Sequence, residues 1–161
     1  MIKNYFDAEK FESLFFVAVG IIAVLISIWF WIKLKDSFYS GMAIPLVLLA
    51  LIQITVGMNV YFRSPKDIVR VESYLTNDKS KITDTEIPRM NTVMKNFVIY
   101  RYIEILLLIA GLVLFFMFSQ NIFIKGIGAG LAVQSSLMLM LDFFAEKRGA
   151  EYLSYLNNLK L

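Results

Sequence analysis

Four polar residues lie within or beside long apolar stretches of this sequence. Glu104 follows Arg101 by three residues, and Asp142 and Asn59 lie near the ends of two other apolar stretches. An ionisable side chain inside a membrane is costly, so its presence there indicates a functional site. This candidate intramembrane polar cluster could bind a cation or relay protons. The alternative is a structural clamp, in which Arg101 pairs with Glu104 one helical turn away and fixes the helix packing.

The sequence gives little support for catalysis, cofactor binding or metal binding. The sequence has no cysteine and no histidine, which excludes thiol chemistry, disulfides, imidazole bases and the usual zinc sites. We therefore expect no catalytic residues, no cofactor and no metal site, and we do not expect an enzyme. A membrane enzyme that uses Glu104, Asp142, Tyr100 or Tyr102 is the weakest hypothesis, because nothing in their spacing singles them out.

The composition indicates a membrane protein. The chain is 58% hydrophobic and 18% charged, whereas soluble domains average roughly 45–50% and about 25%. Four apolar segments cover residues 13–33, 38–62, 98–118 and 122–142. Each is long enough to cross a hydrocarbon core of about 30 Å as a helix. We predict an all-α integral membrane protein, a four-transmembrane-helix bundle of two hairpins, forming a single domain over residues 1–161.

The polar segments 63–97 and 143–161 predict structure outside the bilayer. Ser64 followed by Pro65 is typical of a helix start, with serine as the N-cap and proline at the first helical position. We therefore expect a short amphipathic helix between the two hairpins. We also expect cytoplasmic helical extensions of the third and fourth helices, the second of them an amphipathic tail over 143–161.

Three side chains in the predicted extension of the third helix share one face: Met90, Met94 and Phe97. Methionine-rich surfaces adapt well to partners, so this face could form a partner-binding groove. The alternative is that it packs on the tail, against Tyr152 and its neighbours.

The distribution of basic residues predicts the orientation. Of the 16 Lys and Arg residues, 13 lie in the amino-terminal segment, the central polar segment and the tail, and 3 lie near the two short turns. Because cytoplasmic loops are enriched in basic residues, both termini are expected in the cytoplasm. We predict a multi-pass protein of a bacterial inner membrane, with anionic lipid headgroups as partners and no nucleic acid partner.

Two pairs of residues indicate how the helices pack. Gln53 and Gln134 both come out near the middle of the bilayer, where they predict an interhelical hydrogen bond. Gly126 and Gly130 have the spacing of small residues that allow close helix approach. That glycine face could pack inside the bundle or form a homodimer.

The two halves of the chain share a weak internal similarity. A shift of 81 residues aligns Leu49–Asp78 with Gly130–Leu159 and gives seven identities, among them Gln53 with Gln134. An acid also precedes an apolar run with one glycine in the first and third spans, as Glu12 and Glu104. These features indicate a duplication with two spans in each half. Resemblance among amphipathic membrane helices in general is the alternative.

Two functions are consistent with these features. The first is non-catalytic: an accessory, assembly or immunity-type membrane protein that acts through helix contacts with a membrane-protein partner or a second copy. The second is a small proton- or ion-coupled transporter, or a channel-forming oligomer, that uses Glu104. The lack of any nucleophile–base pair favours the first.

Overall fold

The computed structural model describes residues 1–118 and 120–159. Four helices make up the fold: α1 over Ile2–Trp29, α2 over Ser37–Asn77, α3 over Ile87–Met117 and α4 over Ile122–Asn157. A π-helical turn, Phe30–Leu34, continues α1, and a second, Ile82–Glu86, leads into α3. The described residues contain no strand. The predicted all-α class is thus confirmed, and all four helices are long and apolar enough to cross a membrane.

The helices are longer than a bilayer requires. With their π-helical turns they contain 33 to 41 residues, or roughly 50–60 Å at 1.5 Å per residue, against a hydrocarbon core of about 30 Å. Their polar parts meet at one end of the bundle, which we call the charged end. It comprises residues 1–12, 63–97 and 143–159. The prediction that only the third and fourth helices extend this far was incomplete, because α1 and α2 extend equally.

The charged end has its own hydrophobic core, to which every helix contributes. Tyr5 stacks on Tyr152 with ring centroids 4.0 Å apart, and the fully buried Met90 packs in the same cluster. The complete set of buried members is Ile2, Tyr5, Phe6, Val71, Ile82, Met90, Tyr152 and Leu156. The methionine face of α3 therefore packs on the tail of α4 and is not a free groove.

The predicted helix start at Ser64 and Pro65 is wrong. Helix α2 runs without interruption from Ser37 to Asn77 and contains Pro45 and Pro65. The Ser64 hydroxyl donates to the Val60 carbonyl at 2.8 Å, inside the helix, and does not act as an N-cap. Ser64, Asp67 and Val71 are all buried on one face. Packing of that face outweighs the cost of an internal proline, about 3 kcal/mol.

The two central helices pack closely through glycine. A Cβ atom at Gly126 would collide with the backbone carbonyl of Phe38, and one at Gly130 with that of Met42. Gly41 of α2 is equally tight against the backbone of Phe123. The small-residue face of α4 is therefore occupied by α2 of the same chain, which leaves it closed to a homodimer contact.

The two hairpins have the same arrangement. Helix α1 packs on α2, and α3 packs on α4, while α2 and α4 pack on each other in the centre. Gly20 of α1 lies against Ala50 and Ile54 of α2. Gly111 of α3 lies in the same way against Gly128 and Ala132 of α4. The two glycines are 91 residues apart and their partners 78, so these contacts do not follow the shift of 81 residues seen in the sequence.

Candidate functional site

A cleft opens between the two outer helices. Helices α1 and α3 have no interface comparable to the others in the described ranges, and a cavity of about 370 Å³ lies between them, with α2 and α4 behind it. Apolar side chains from all four helices form most of its walls, including Phe16, Leu49, Ile52, Val56, Phe97, Ile103, Leu107 and Met138. This size and apolar character are typical of small-molecule sites.

Two carboxyl groups face this cleft together. Glu104 of α3 is only 3% exposed, and Asp142 of α4 lines the same cleft. The Oε2 atom of Glu104 has no hydrogen-bond partner. Both residues line the cleft, so the pair offers a free acceptor in an apolar space.

The predicted pairing of Arg101 with Glu104 is wrong. Arg101 instead contacts Glu146 of α4 at 3.4 Å, and its side chain is 43% exposed. Both residues border a second cavity of about 210 Å³, outside the main cleft, which Asp142 also lines. Since residues three apart on a helix differ in direction by about 60°, the long arginine side chain turns to an acid on the neighbouring helix. Among the described residues, Glu104 is thereby left without a basic partner.

Asn59 does not belong to the cluster. It is exposed on α2 and is not among the residues that line the cleft. Val56 and Val60 of the same helix do line it. Asn59 points about 60° to one side of Val56 and about 100° to one side of Val60, beyond the edge of the cleft.

The two glutamines lie together in the middle of the bundle. The Gln134 Nε2 atom donates to Gln53 Oε1 at 2.7 Å, and the side chains are 0% and 1% exposed respectively. One polar atom of each amide lacks a partner, namely Gln53 Nε2 and Gln134 Oε1. Gln53 lines the inner end of the cleft, so that a buried amide hydrogen remains free there.

Helix α1 contributes acids to the cleft that the sequence pattern did not assign to a site. Glu9 accepts hydrogen bonds from Arg63 at 3.0 Å and from Ser64 at 3.1 Å, and Glu12 forms an ion pair with Arg148. Burial raises the pKa of Glu9, although the Arg63 charge and the Ser64 hydrogen bond lower it in part. Glu12, like Glu104, directly precedes an apolar run. That position in the sequence could have identified the α1 side of the cleft.

Not every charged residue of the cleft has a partner of opposite charge. Its two arginines, Arg63 and Arg148, are paired with Glu9 and Glu12. Among the described lining residues, the Glu104–Asp142 pair is the acidic group without a basic partner. A positive charge is thus the natural complement of this site.

A buried ion network closes the charged end beyond the cleft. Glu86 is fully buried and accepts two hydrogen bonds from Arg89, at 2.6 and 2.9 Å. It also accepts one from the Tyr152 hydroxyl at 3.2 Å. Arg70 connects Glu86, at 3.5 Å, with Asp67, at 2.8 Å. Since each acid has its own arginine, the network joins α2, α3 and α4 without a free charge.

Comparisons of the chain with protein-family models, curated proteins and solved structures give no match. The function is therefore argued from the geometry of the cleft.

Proposed function

We propose that the chain is a four-span membrane protein of the bacterial inner membrane, with both termini and the charged end in the cytoplasm. The large apolar side chains exposed along the helices support this proposal, as does the excess of basic residues at the charged end. Alkaline phosphatase fused after Lys35 or Lys125 should be active, and inactive after Lys79. The reverse pattern would overturn this orientation.

Within that frame, the cleft favours the second of the two functions, a small proton-coupled transporter that uses Glu104. The observation that supports it most is the Glu104 carboxyl group, which is buried in the same apolar cleft as Asp142 and has no basic partner among the described residues. Two carboxyl groups in such a space favour holding one proton between them, and they can give it up when a ligand supplies positive charge. The proposal requires no catalysis and no cofactor.

Proteoliposomes with an acidic lumen and an internal pH-sensitive dye test this proposal. The medium would contain sodium, potassium, organic amines, quaternary ammonium or phosphonium cations, or organic acids in turn, with protein-free liposomes as the blank. At least one solute should release protons through the wild-type protein and not through Glu104→Gln. Glu151→Gln is the matched control, because it removes an exposed acid of α4 that lines neither cavity. Proton release by no solute, or undiminished release by Glu104→Gln, would overturn the transport proposal.

The non-catalytic accessory, assembly or immunity-type role remains the second candidate. The same cleft supports it, since a groove between two unpacked helices can also accept the helix of a membrane-protein partner. The methionine face gives it no support, because α4 covers that face. Native mass spectrometry after mild detergent extraction separates the two functions. A stoichiometric foreign partner would favour the accessory role, and a chain or homo-oligomer without one would favour transport.

A further inference from the structure

Aromatic side chains line the same cleft as the acidic pair. Phe16 of α1 and Phe97 and Tyr100 of α3 form part of the walls of the cavity that Glu104 also lines. Aromatic faces attract organic cations, most strongly where water is excluded, and cages of this kind recognise quaternary ammonium groups. The cleft thus combines a negative group, aromatic walls and an apolar volume.

A metal ion fits this site poorly. Within the described residues, no group of three acidic side chains is placed to hold a metal ion. Calcium takes six to eight oxygen ligands, and magnesium requires a nearly ideal octahedron. The walls next to Glu104, such as Ile103 and Leu107, offer no further oxygen ligands from their side chains. A large cation with apolar substituents needs none.

We infer that the cleft binds a lipophilic organic cation, of the quaternary ammonium or phosphonium type, in exchange for the proton shared by Glu104 and Asp142. This inference rests on the proposed function and specifies its substrate class. One positive charge enters and one proton leaves to the water at the charged end, so the charge of the site stays constant.

The other charged groups around the pair do not supply this charge. Arg63, Arg101 and Arg148 each have a carboxylate of their own, on Glu9, Glu146 and Glu12 respectively. Besides the pair itself, the titratable and charged residues that line the two cavities are Tyr5, Glu9, Glu12, Arg63, Tyr100, Arg101, Glu146 and Arg148. The arginine pairs balance one another, so the shared proton is the charge that a ligand must replace.

Binding of tetraphenylphosphonium to the detergent-solubilised full chain tests the inference, with tetraphenylborate as an anion of the same shape. Isothermal titration calorimetry in buffers of different ionisation enthalpy measures affinity and proton release together. We expect the cation to bind with release of about one proton and the anion not to bind. Glu104→Gln should weaken cation binding by at least about tenfold. Glu151→Gln, at an exposed acid of α4 that lines neither cavity, should bind as the wild type does.

The wild-type protein provides a second measurement that needs no variant to fold. Because one proton competes with one cation, the affinity for tetraphenylphosphonium should fall as the pH falls, approaching tenfold per pH unit. Equal binding of tetraphenylborate, binding without proton release, or an affinity independent of pH would overturn the inference. If only another class of solute drives proton transport, the transport proposal holds and the inferred substrate is wrong. If the cation binds in a Glu104-dependent way but no transport occurs, the binding site is correct and the transport proposal is wrong.

Discussion

The contact between α3 and α4 at Gly128 gives the most direct test of the packing. A Cβ atom at Gly128 would lie 2.6 Å from the Gly111 carbonyl oxygen and 2.6 Å from the Phe115 backbone nitrogen. Both neighbours are backbone atoms and cannot rotate away as a flexible side chain can. Gly128→Ala therefore requires the two helices to separate.

The size of the effect follows from these distances. An ordinary contact begins at 3.4 Å, so that a gap of 2.6 Å requires a shift of about 0.8 Å. Overpacking of this kind costs typically 1–3 kcal/mol, while alanine regains up to about 1 kcal/mol through its higher helix propensity. We expect Gly128→Ala to lower the free energy of unfolding by about 1–2 kcal/mol.

Gly149 of the same helix provides the matched control. A Cβ atom there would meet the Met94 sulfur at 3.1 Å, with Met90 Cε and Phe97 Cε2 both at 3.8 Å. Since the methionine side chain is flexible, Gly149→Ala should keep the gain in helix propensity at little packing cost. We expect it to be as stable as the wild type or more stable, by up to about 1 kcal/mol.

Unfolding of both variants in detergent by titrated dodecyl sulfate, followed by far-ultraviolet circular dichroism, measures this difference. The comparison is internal, because both substitutions replace glycine by alanine within one helix. If Gly128→Ala proves as stable as Gly149→Ala, the close approach of α3 and α4 is wrong. The position of Asp142 relative to Glu104 would then need revision as well.

Two further predictions concern Glu9 and the glutamine pair. Because burial raises the pKa of Glu9, the stability that its carboxyl group contributes is present in acid and is lost as the pH rises through that pKa. Glu9→Gln should thus match the wild type in acid and exceed its stability at neutral pH, and a less stable variant at neutral pH would contradict this. A double-mutant cycle of Gln53→Leu and Gln134→Leu should show a favourable coupling of about 0.6–1.7 kcal/mol in the same unfolding assay. A coupling near zero would show that the 2.7 Å hydrogen bond does not join the two helices.

The number and type of the helices could be predicted because bilayer thickness sets the length of a span. An uncharged apolar run of about 20 residues is typical of a helix that crosses the hydrocarbon core. Whether the helix continues through Pro65 could not be decided from the neighbouring residues of the sequence. Whether an internal proline is tolerated depends on how much of the surrounding face is buried, and Val71 is buried in a core that all four helices share.

For the site, too, some features could be predicted from the sequence and others depend on how the helices pack. The sequence predicted the depth of Glu104, Asn59 and Gln53 in the bundle, because depth follows from counting residues. It did not predict which way each side chain points, since rotation about the helix axis is set by the partner helix. Gln53 and Gln134 were expected to be neighbours because residue counting places both near the middle of their spans, and a hydrogen bond joins them in the structure. The same counting placed Asn59 beside Glu104, but Asn59 does not line the cleft.

The cleft itself follows from a missing interaction, which a pattern of apolar residues cannot reveal. In water, the apolar faces of α1 and α3 would close on each other to leave the solvent. In the proposed bilayer that force is absent, because lipid tails are as apolar as the side chains. The outer helices can therefore stay apart while glycine contacts and the buried Glu86 network hold α2, α3 and α4 together.

The same reasoning limits how the cleft can select a ligand. An uncharged apolar molecule gains little by leaving the lipid for walls such as Phe16 and Leu107, because both surroundings are equally apolar. A discriminating interaction has to come from the polar groups, and among these the arginines are already paired. The Glu104–Asp142 pair is left to distinguish a cation from a lipid tail. Removal of its charge should thus affect selectivity for positive charge more than it affects the fold.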